Sequence, residues 1–276
     1  MPEMPEVETI ARGLEPRIRN RVIGSYEVLR PALLRNTSPA DMARVCGEKV
    51  LAVRRRGKML LIDVSGNRSL VFHLKMTGQI ALAVKPAPID KHVHFVLVFK
   101  DAGPRLLFRD VRKFGFLCCL ETSSADRSPV LGNLGLEPLD AGFQAFCGVF
   151  KKRTGRLKSL LLNQRLLAGI GNIYADEILF RARLHPLTAA SALKPGDFRR
   201  LRDSTREVLS EAVERRGSTI RDYLDSDGRP GDFQDFHRVY GREGEPCAVC
   251  GSRVRRIRVG GRSTFFCGRC QRLKKV

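Results

Sequence analysis

Residues 247–270 read CAVCGSRVRRIRVGGRSTFFCGRC, and their cysteine spacing decides how the end of the chain folds. Two C-x-x-C pairs, Cys247 with Cys250 and Cys267 with Cys270, stand sixteen residues apart. Each pair makes one knuckle, and four thiolates at this spacing match tetrahedral Zn²⁺ coordination better than they match unrelated buried cysteines. A four-thiolate site has no open position for substrate. The one zinc ion is therefore expected to be structural, with binding coupled to folding of a β-hairpin between the knuckles. Cys46, Cys118, Cys119 and Cys147 are scattered, which suits buried thiols in a reducing compartment.

The same stretch is basic: Arg253, Arg255, Arg256, Arg258, Arg262, Arg269, Arg272, Lys274 and Lys275 have few acids nearby. A soluble basic surface is the plain reading, but one-sided charge on a rigid hairpin is what phosphate contact requires. The whole chain agrees, since 50 Lys and Arg against 29 Asp and Glu give +21 over 276 residues. The expected partner is a polyanion, bound with strong salt dependence, and nucleic acid leads. An anionic membrane is the rival, yet no apolar stretch approaches the roughly 20 residues needed to span a bilayer. The opening MPEMPEVETIARGLEP carries Glu3, Glu6 and Glu8 where a secretory signal has basic residues, so a cytoplasmic, nucleoid-associated location is expected.

Working towards the N-terminus, STIRDYLDSDGRPGDFQ (218–234) reads as an exposed, mobile loop of the kind that serves as a lid. Before it, Phe198, Leu201, Val208, Leu209, Ala212 and Val213 form a helical stripe that stops near Gly217. LKSLLLNQRLL reads as a helix, GIGN as a tight connection with Asn172 as helix N-cap, and IYADEILFRARL as a second helix ending before His185. Gly169 and Gly171 also let backbone amides approach a phosphate. From Val22 to Leu120, runs such as KMLLIDV, SLVFHL, HFVLVF and FGFLCCL between turn residues predict a sandwich or barrel-like sheet. Val7, Ile10, Ala11 and Leu14 predict a short amphipathic helix ending before Pro16. No internal repeat is found.

Pro2 becomes the first residue if the initiator methionine is removed. The exposed secondary amine, with a pKa of roughly 8 by analogy with α-amino groups, is a nucleophile near neutral pH. Alone, such a proline is incidental; its surroundings change the reading.

Those surroundings resemble the formamidopyrimidine-DNA glycosylase family over nearly the whole chain, in order. PEMPEVET resembles the family's opening, RRRGKML its catalytic lysine segment, and HLKMTG and DVRKFG its DNA-probing loops. NQRLLAGIGNIYADE resembles its helix–two-turn–helix, DSDGRPGDF its lid, and EPCAVCG with RSTFFCGRC its zinc finger. The resemblance implies Pro2 as nucleophile and Glu3 as the acid that assists sugar opening. It implies Lys58 as a cation for β-elimination, Arg262 as the arginine at the lesion phosphate, and Glu6 as support. Met76, Arg112 and Phe114 would fill the void left by an everted base, with Arg112 on the orphaned cytosine. His92, Arg153 and Asn172 would contact the DNA backbone. Read from the residues alone, Met76 and Phe114 belong in a strand core. The sequence departs from the family at Met4, a volume-conserving change from leucine, at Val111, where proline is common, and at Lys75, an added charge in a probing loop.

The expected fold is α+β: an N-terminal β-sandwich with flanking helix (2–134), a helix–two-turn–helix domain with the lid (135–236), and a four-cysteine zinc-finger hairpin (237–276). The resemblance implies a monomeric bifunctional glycosylase/AP lyase that excises oxidised purines, 8-oxoguanine and formamidopyrimidines, from double-stranded DNA through a Pro2 Schiff base and cleaves the strand there or at abasic sites by β,δ-elimination. Within the family, the endonuclease VIII type, which prefers oxidised pyrimidines, is the rival. A non-catalytic zinc-finger DNA-binding protein is the rival from another class.

Overall fold

The structure, a computed structural model, describes residues 1–83, 89–101, 103–151 and 153–274, so Lys275 of the basic run lies outside the described residues. They form two compact units: Met1–Gly132 with Arg215–Asp232, and Asn133–Glu214 with Phe233–Val276.

The first unit opens with α1 (Met4–Ile18). Its Val7, Ile10, Ala11, Leu14 and Ile18 are buried in the same core as the sheets, the face that their spacing predicts. The helix runs past Pro16 rather than stopping before it. Proline removes one backbone bond in the last turn, but Arg19 N still donates to Glu15 O at 3.1 Å and Ile18 is fully buried, so packing outweighs the loss.

The strands are β1 (Ile23–Val28), β2 (Val50–Arg56), β3 (Met59–Val64), β4 (Arg68–His73), β5 (Gly78–Ala83), β6 (Val93–Phe99), β7 (Arg105–Asp110) and β8 (Phe116–Glu121), with the short α2 (Pro39–Ala43) between β1 and β2. They make two four-stranded sheets, in orders β2-β3-β4-β8 and β1-β6-β7-β5. Every neighbouring pair is antiparallel. Leu60, Ile62 and Val64 alternate along β3 into a core shared with Phe95, Leu97 and Phe108 of the other sheet. The ring of Phe72 on β4 lies 5.8 Å from Phe95 and 5.9 Å from Phe108, joining the two sheets. This is the expected sandwich, made by period-two burial.

The segment Arg215–Asp232 clusters with this first unit, which differs from the boundary expected at 236. Nor is the loop simply exposed. Tyr223 joins the sandwich core, Ser218, Asp225 and Ser226 are buried, and Leu82 N donates to Ser226 O at 3.4 Å. Its glycines and acids suggested a solvated loop; one aromatic anchor and its backbone bonds hold it down.

The second unit holds α3 (Phe143–Phe150), α4 (Leu157–Leu162), α5 (Asn172–Arg181), α6 (Pro195–Glu214) and the hairpin β9 (Val254–Val259) with β10 (Arg262–Cys267). The expected helix across 157–167 stops at Leu162. Asn163 Oδ1 accepts from Arg165 N at 3.0 Å, and Gln164 takes Gly169 N at 2.9 Å and Ile170 O at 2.7 Å, so polar side chains compete with the helical ladder. The hairpin is part of this unit: Gln271 Nε2 donates to Leu184 O at 2.9 Å, and Phe266 packs edge-on against His185 at 4.6 Å.

Candidate active site

In the first unit, Met1 is exposed while Pro2 through Val7 are buried. Glu3 is the N-cap of α1 in a capping box, its side chain accepting from the backbone of Glu6 while Glu6 answers. The answering bond, Glu3 N to Glu6 Oε2, is 2.6 Å. The other oxygen of Glu6 accepts from Ser218 N at 2.7 Å, and a Cβ on Gly217 would sit 2.6 Å from that oxygen. One buried carboxylate thus fixes both the helix start carrying Pro2 and Glu3 and the start of the 218–232 loop.

Lys58 lies in the two-residue turn joining β2 and β3, where Arg56 pairs with Met59. Gly57 has φ +57°, the positive value that the first position of a type II′ turn requires. Lys58 is 8% exposed. Beside it, Arg55 Nε donates to Glu8 of α1 at 2.9 Å, and Nη1 to Gly57 O at 3.2 Å. Burial would raise the Glu8 carboxyl, but hydrogen bonds and charge from Arg55 and Arg12 hold it below the usual range, so it stays ionised and ties the lysine turn to α1. His73, on β4 opposite Met59, is pushed down to about 3 by burial and by the charges of Lys75, Lys58 and Arg35. It is neutral, and its Nδ1 accepts from Lys75 N at 2.9 Å.

Met76 and Phe114 are 40% and 50% exposed, so neither is the core residue that its strand context suggests. They crown two loops that Asp110 clamps together. Its carboxylate accepts from Thr77 Oγ1, from Arg112 N at 3.2 Å and from Gly115 N at 2.7 Å, while Arg112 N also donates to Thr77 Oγ1 at 3.1 Å. The Arg112 guanidinium stacks on the Phe114 ring at 4.8 Å. His92 is half-buried at the edge of the same unit, its carbonyl accepting from Asp110 N at 2.9 Å. Sequence reasoning missed Asp110; its only signal was a buried acid ending a strand next to the probing loop.

In the second unit, Asn172 is the first residue of α5 rather than its cap, which is Gly171. Its side chain instead donates to Ser263 O of the hairpin at 2.9 Å, and its buried Oδ1 has no partner among the described residues. Asp176, one turn on, accepts from Lys158 Nζ at 2.7 Å and from Phe265 N of β10 at 3.0 Å. Burial pushes Asp176 up to about 7 even against Lys158. Glu177 accepts from the backbones of Arg238, Val239 and Tyr240 at 2.8–3.0 Å. Both acids were within a quoted motif but given no role; charged residues in a helix buried on all sides were the signal. Arg153 is exposed after α3, its Nε donating to Val149 O at 2.7 Å.

Arg262 is exposed and begins β10, directly after Gly260 and Gly261, whose φ values of +55° and +76° suit a type I′ turn. At the far end, the Sγ atoms of Cys247, Cys250, Cys267 and Cys270 all lie within 4.8 Å of one another. The 3.5 Å and 4.0 Å separations of Cys250–Cys267 and Cys247–Cys270 bracket the roughly 3.8 Å edge of a tetrahedron with 2.3 Å Zn–S bonds. The four cysteines are arranged to bind one zinc ion.

Known proteins match along the whole length. The family models that match describe the formamidopyrimidine-DNA glycosylase N-terminal domain (residues 1–117), its H2TH domain (134–223), and a zinc finger found in FPG and IleRS (244–273). Formamidopyrimidine-DNA glycosylases of Solibacter usitatus and Pelotomaculum thermopropionicum are 45% and 39% identical, each covering 99% of this chain and 100% of the relative. The MutM (FPG) structure from Thermus thermophilus superposes with a TM-score of 0.86 at 45% identity, over 99% of this chain and 100% of that one. Wild-type Lactococcus lactis Fpg, in complex with N7-benzyl-Fapy-dG containing DNA, gives 0.90 at 36% identity, over 98% and 100%. With full-length identity, a shared fold and matching domains in the same order, the chain belongs to the formamidopyrimidine-DNA glycosylase family.

Proposed function

We propose that the chain excises oxidised purines, 8-oxoguanine and formamidopyrimidines, from duplex DNA and then cuts the strand by β,δ-elimination. The observation that carries this reading is the buried head of α1, where Pro2 and Glu3 are held side by side by the capping box and the Glu6 bridge to Ser218. Loss of Met1 turns the Pro2 nitrogen from a tertiary amide into a secondary amine. The amine attacks C1′, the base leaves with the electrons of the glycosidic bond, and the proton that the amine nitrogen gives up goes to the departing base. Glu3 gives a proton to the ring oxygen as the sugar opens. The resulting iminium has no N–H to lose, so it remains cationic and acidifies C2′. Departure of the C2′ proton expels the 3′ phosphate, and departure of the C4′ proton expels the 5′ phosphate.

Lys58, in a turn braced to the same helix, supplies positive charge for β-elimination, and Arg262 holds the lesion phosphate for δ-elimination. Cys247, Cys250, Cys267 and Cys270 would hold the zinc ion, which would crosslink the base of the Arg262 hairpin and supply stability rather than chemistry. The exposed Met76, Arg112 and Phe114 enter the stack once the base is everted, a use that an apolar ring at a loop tip suits. His92, Arg153 and Asn172 contact backbone phosphates. Among the described residues no helix is long and apolar enough to cross a membrane.

Borohydride trapping on an abasic duplex, read by intact mass, tests the chemistry. A covalent adduct on a chain lacking Met1 is expected; no adduct, or one that persists when Met1 is retained, refutes it and favours the non-catalytic reading. Faster release of thymine glycol than of 8-oxoguanine paired with cytosine would move the substrate class to oxidised pyrimidines.

A further inference from the structure

The base of the zinc hairpin contains a recess of about 340 Å³ lined by Ser252, Arg253, Arg255, Gly268 and Arg269. Three arginines line it, and among the described residues no carboxylate does. Arg253 Nη1 donates to Gly244 O at 3.0 Å. The nearby acids are taken: Glu243 pairs with Arg256 at 2.9 Å and Glu245 with Arg242 at 2.7 Å. Among the described residues, Arg255 and Arg269 have no carboxylate partner. Like charges crowded around a concavity repel unless an anion enters. Gly268 also matters, because a Cβ there would meet the Arg255 guanidinium at 3.4 Å.

Register separates this recess from Arg262. Arg255 pairs with Phe266, four residues along β10 from Arg262 and on the same face. At about 3.3 Å per residue the offset is roughly 13 Å, beyond the Debye length of about 8 Å at physiological ionic strength. Arg262 is not among the residues that line the recess, so an anion there is assigned a contact of its own.

We propose that this recess binds a phosphate group, and that in the DNA-bound protein the group is a backbone phosphodiester distinct from the one assigned to Arg262. Planar guanidinium forks present paired donors to phosphate oxygens, which three of them around one concavity do well. The inference rests on the DNA-binding half of the proposed function and not on its chemistry, so a protein that binds DNA without forming an adduct leaves it standing.

The test measures affinity for a duplex bearing a tetrahydrofuran abasic analogue between 50 and 200 mM salt, beside calorimetric titration with pyrophosphate in the absence of DNA. Each neutralised phosphate contributes about 0.9 to the slope of log K against log salt. Arg255→Ala/Arg269→Ala, with one zinc per chain verified, is expected to flatten that slope by about 1 and to weaken low-salt binding about tenfold. Arg255→Lys/Arg269→Lys is expected to keep the slope. Should the double alanine variant lose zinc, Arg255→Glu replaces it with the same expectation. Pyrophosphate binding by the wild type, lost in the variant while the DNA slope is unchanged, identifies free phosphate as the source of the ligand. A wild-type slope in a zinc-loaded variant, with no pyrophosphate bound by either protein, overturns the proposal.

Discussion

Lys58 and Arg262 occupy two hairpins that are alike in outline and opposite in support. Each hairpin turns in two residues on glycines of positive φ. The β2–β3 turn grows from strands whose inward residues lie in the sandwich core, and the Arg55–Glu8 pair, with Arg55 only 6% exposed, ties it to α1. The β9–β10 hairpin packs its base in a small cluster around Cys247, Cys267, Val254 and Val239 and leaves Arg262 exposed. One cation is positioned by hydrophobic mass, the other by coordination bonds and a few buried polar contacts to α5. A short hairpin without a core of its own has marginal stability, so the second solution is needed where the strand is to stand out from its unit.

Removing the metal breaks the comparison most completely. Structural zinc supplies on the order of 10 kcal/mol in isolated fingers, so chelation is expected to lower DNA affinity at least 100-fold. Near-ultraviolet spectra and thermal melts should show the sandwich still folded; joint melting of both units would make the hairpins less independent than argued.

Asp176→Ala comes next, because it removes the acceptor shared by Lys158 Nζ and Phe265 N, and a buried donor left without its partner costs about 1–3 kcal/mol. The pH dependence has a definite sign. Burial raises the folded pKa of Asp176 to about 7 from an ordinary 3.8, so the native state holds this proton more tightly than the unfolded chain. Its contribution is fully present below about pH 4 and is lost as pH rises towards 7. The variant's deficit against wild type in urea unfolding should therefore shrink from pH 4 to pH 7. A growing deficit refutes the assignment.

Glu8→Gln sharpens the other side. Loss of a charge-assisted bond to Arg55 should cost about 1–2 kcal/mol and slow strand cleavage more than it weakens DNA binding, since only the Lys58 turn loosens. Because the Glu8 pKa is held below its ordinary value, the stabilisation exists above about pH 4.5 and fades as pH falls. Equal effects on binding and cleavage would point to a general loss of folding. The smallest change is expected from Gly261→Ala. Nothing stands within 4 Å of the added carbon, so the cost is the left-handed conformation alone, about 1 kcal/mol, confined to the Arg262 hairpin and visible as faster local hydrogen exchange.

Covalent and periodic constraints were the legible ones. Cysteine spacing gave the metal site, alternation gave the sandwich, and the 3.6-residue stripes gave α1 and α6. Competition between side chain and backbone was not legible: Asn163 and Gln164 end α4 inside an apolar stripe, and Asn172 is spent on Ser263 rather than on a cap. The short α3, whose Phe146 and Phe150 rings meet at 5.4 Å, lacks the length that makes a period visible. Asp110, Asp176 and Glu177 act through backbone amides that lie far away in sequence, a relation no local pattern encodes.

The burial of Tyr223 among residues of the sandwich sets an order of assembly on the ribosome. The first 132 residues emerge with every strand of both sheets but without the aromatic ring that completes their interior. At 5–20 residues per second, roughly 5–20 s of synthesis separate Gly132 from Tyr223. During that interval the core residues beside Tyr223 lack the cover of its ring.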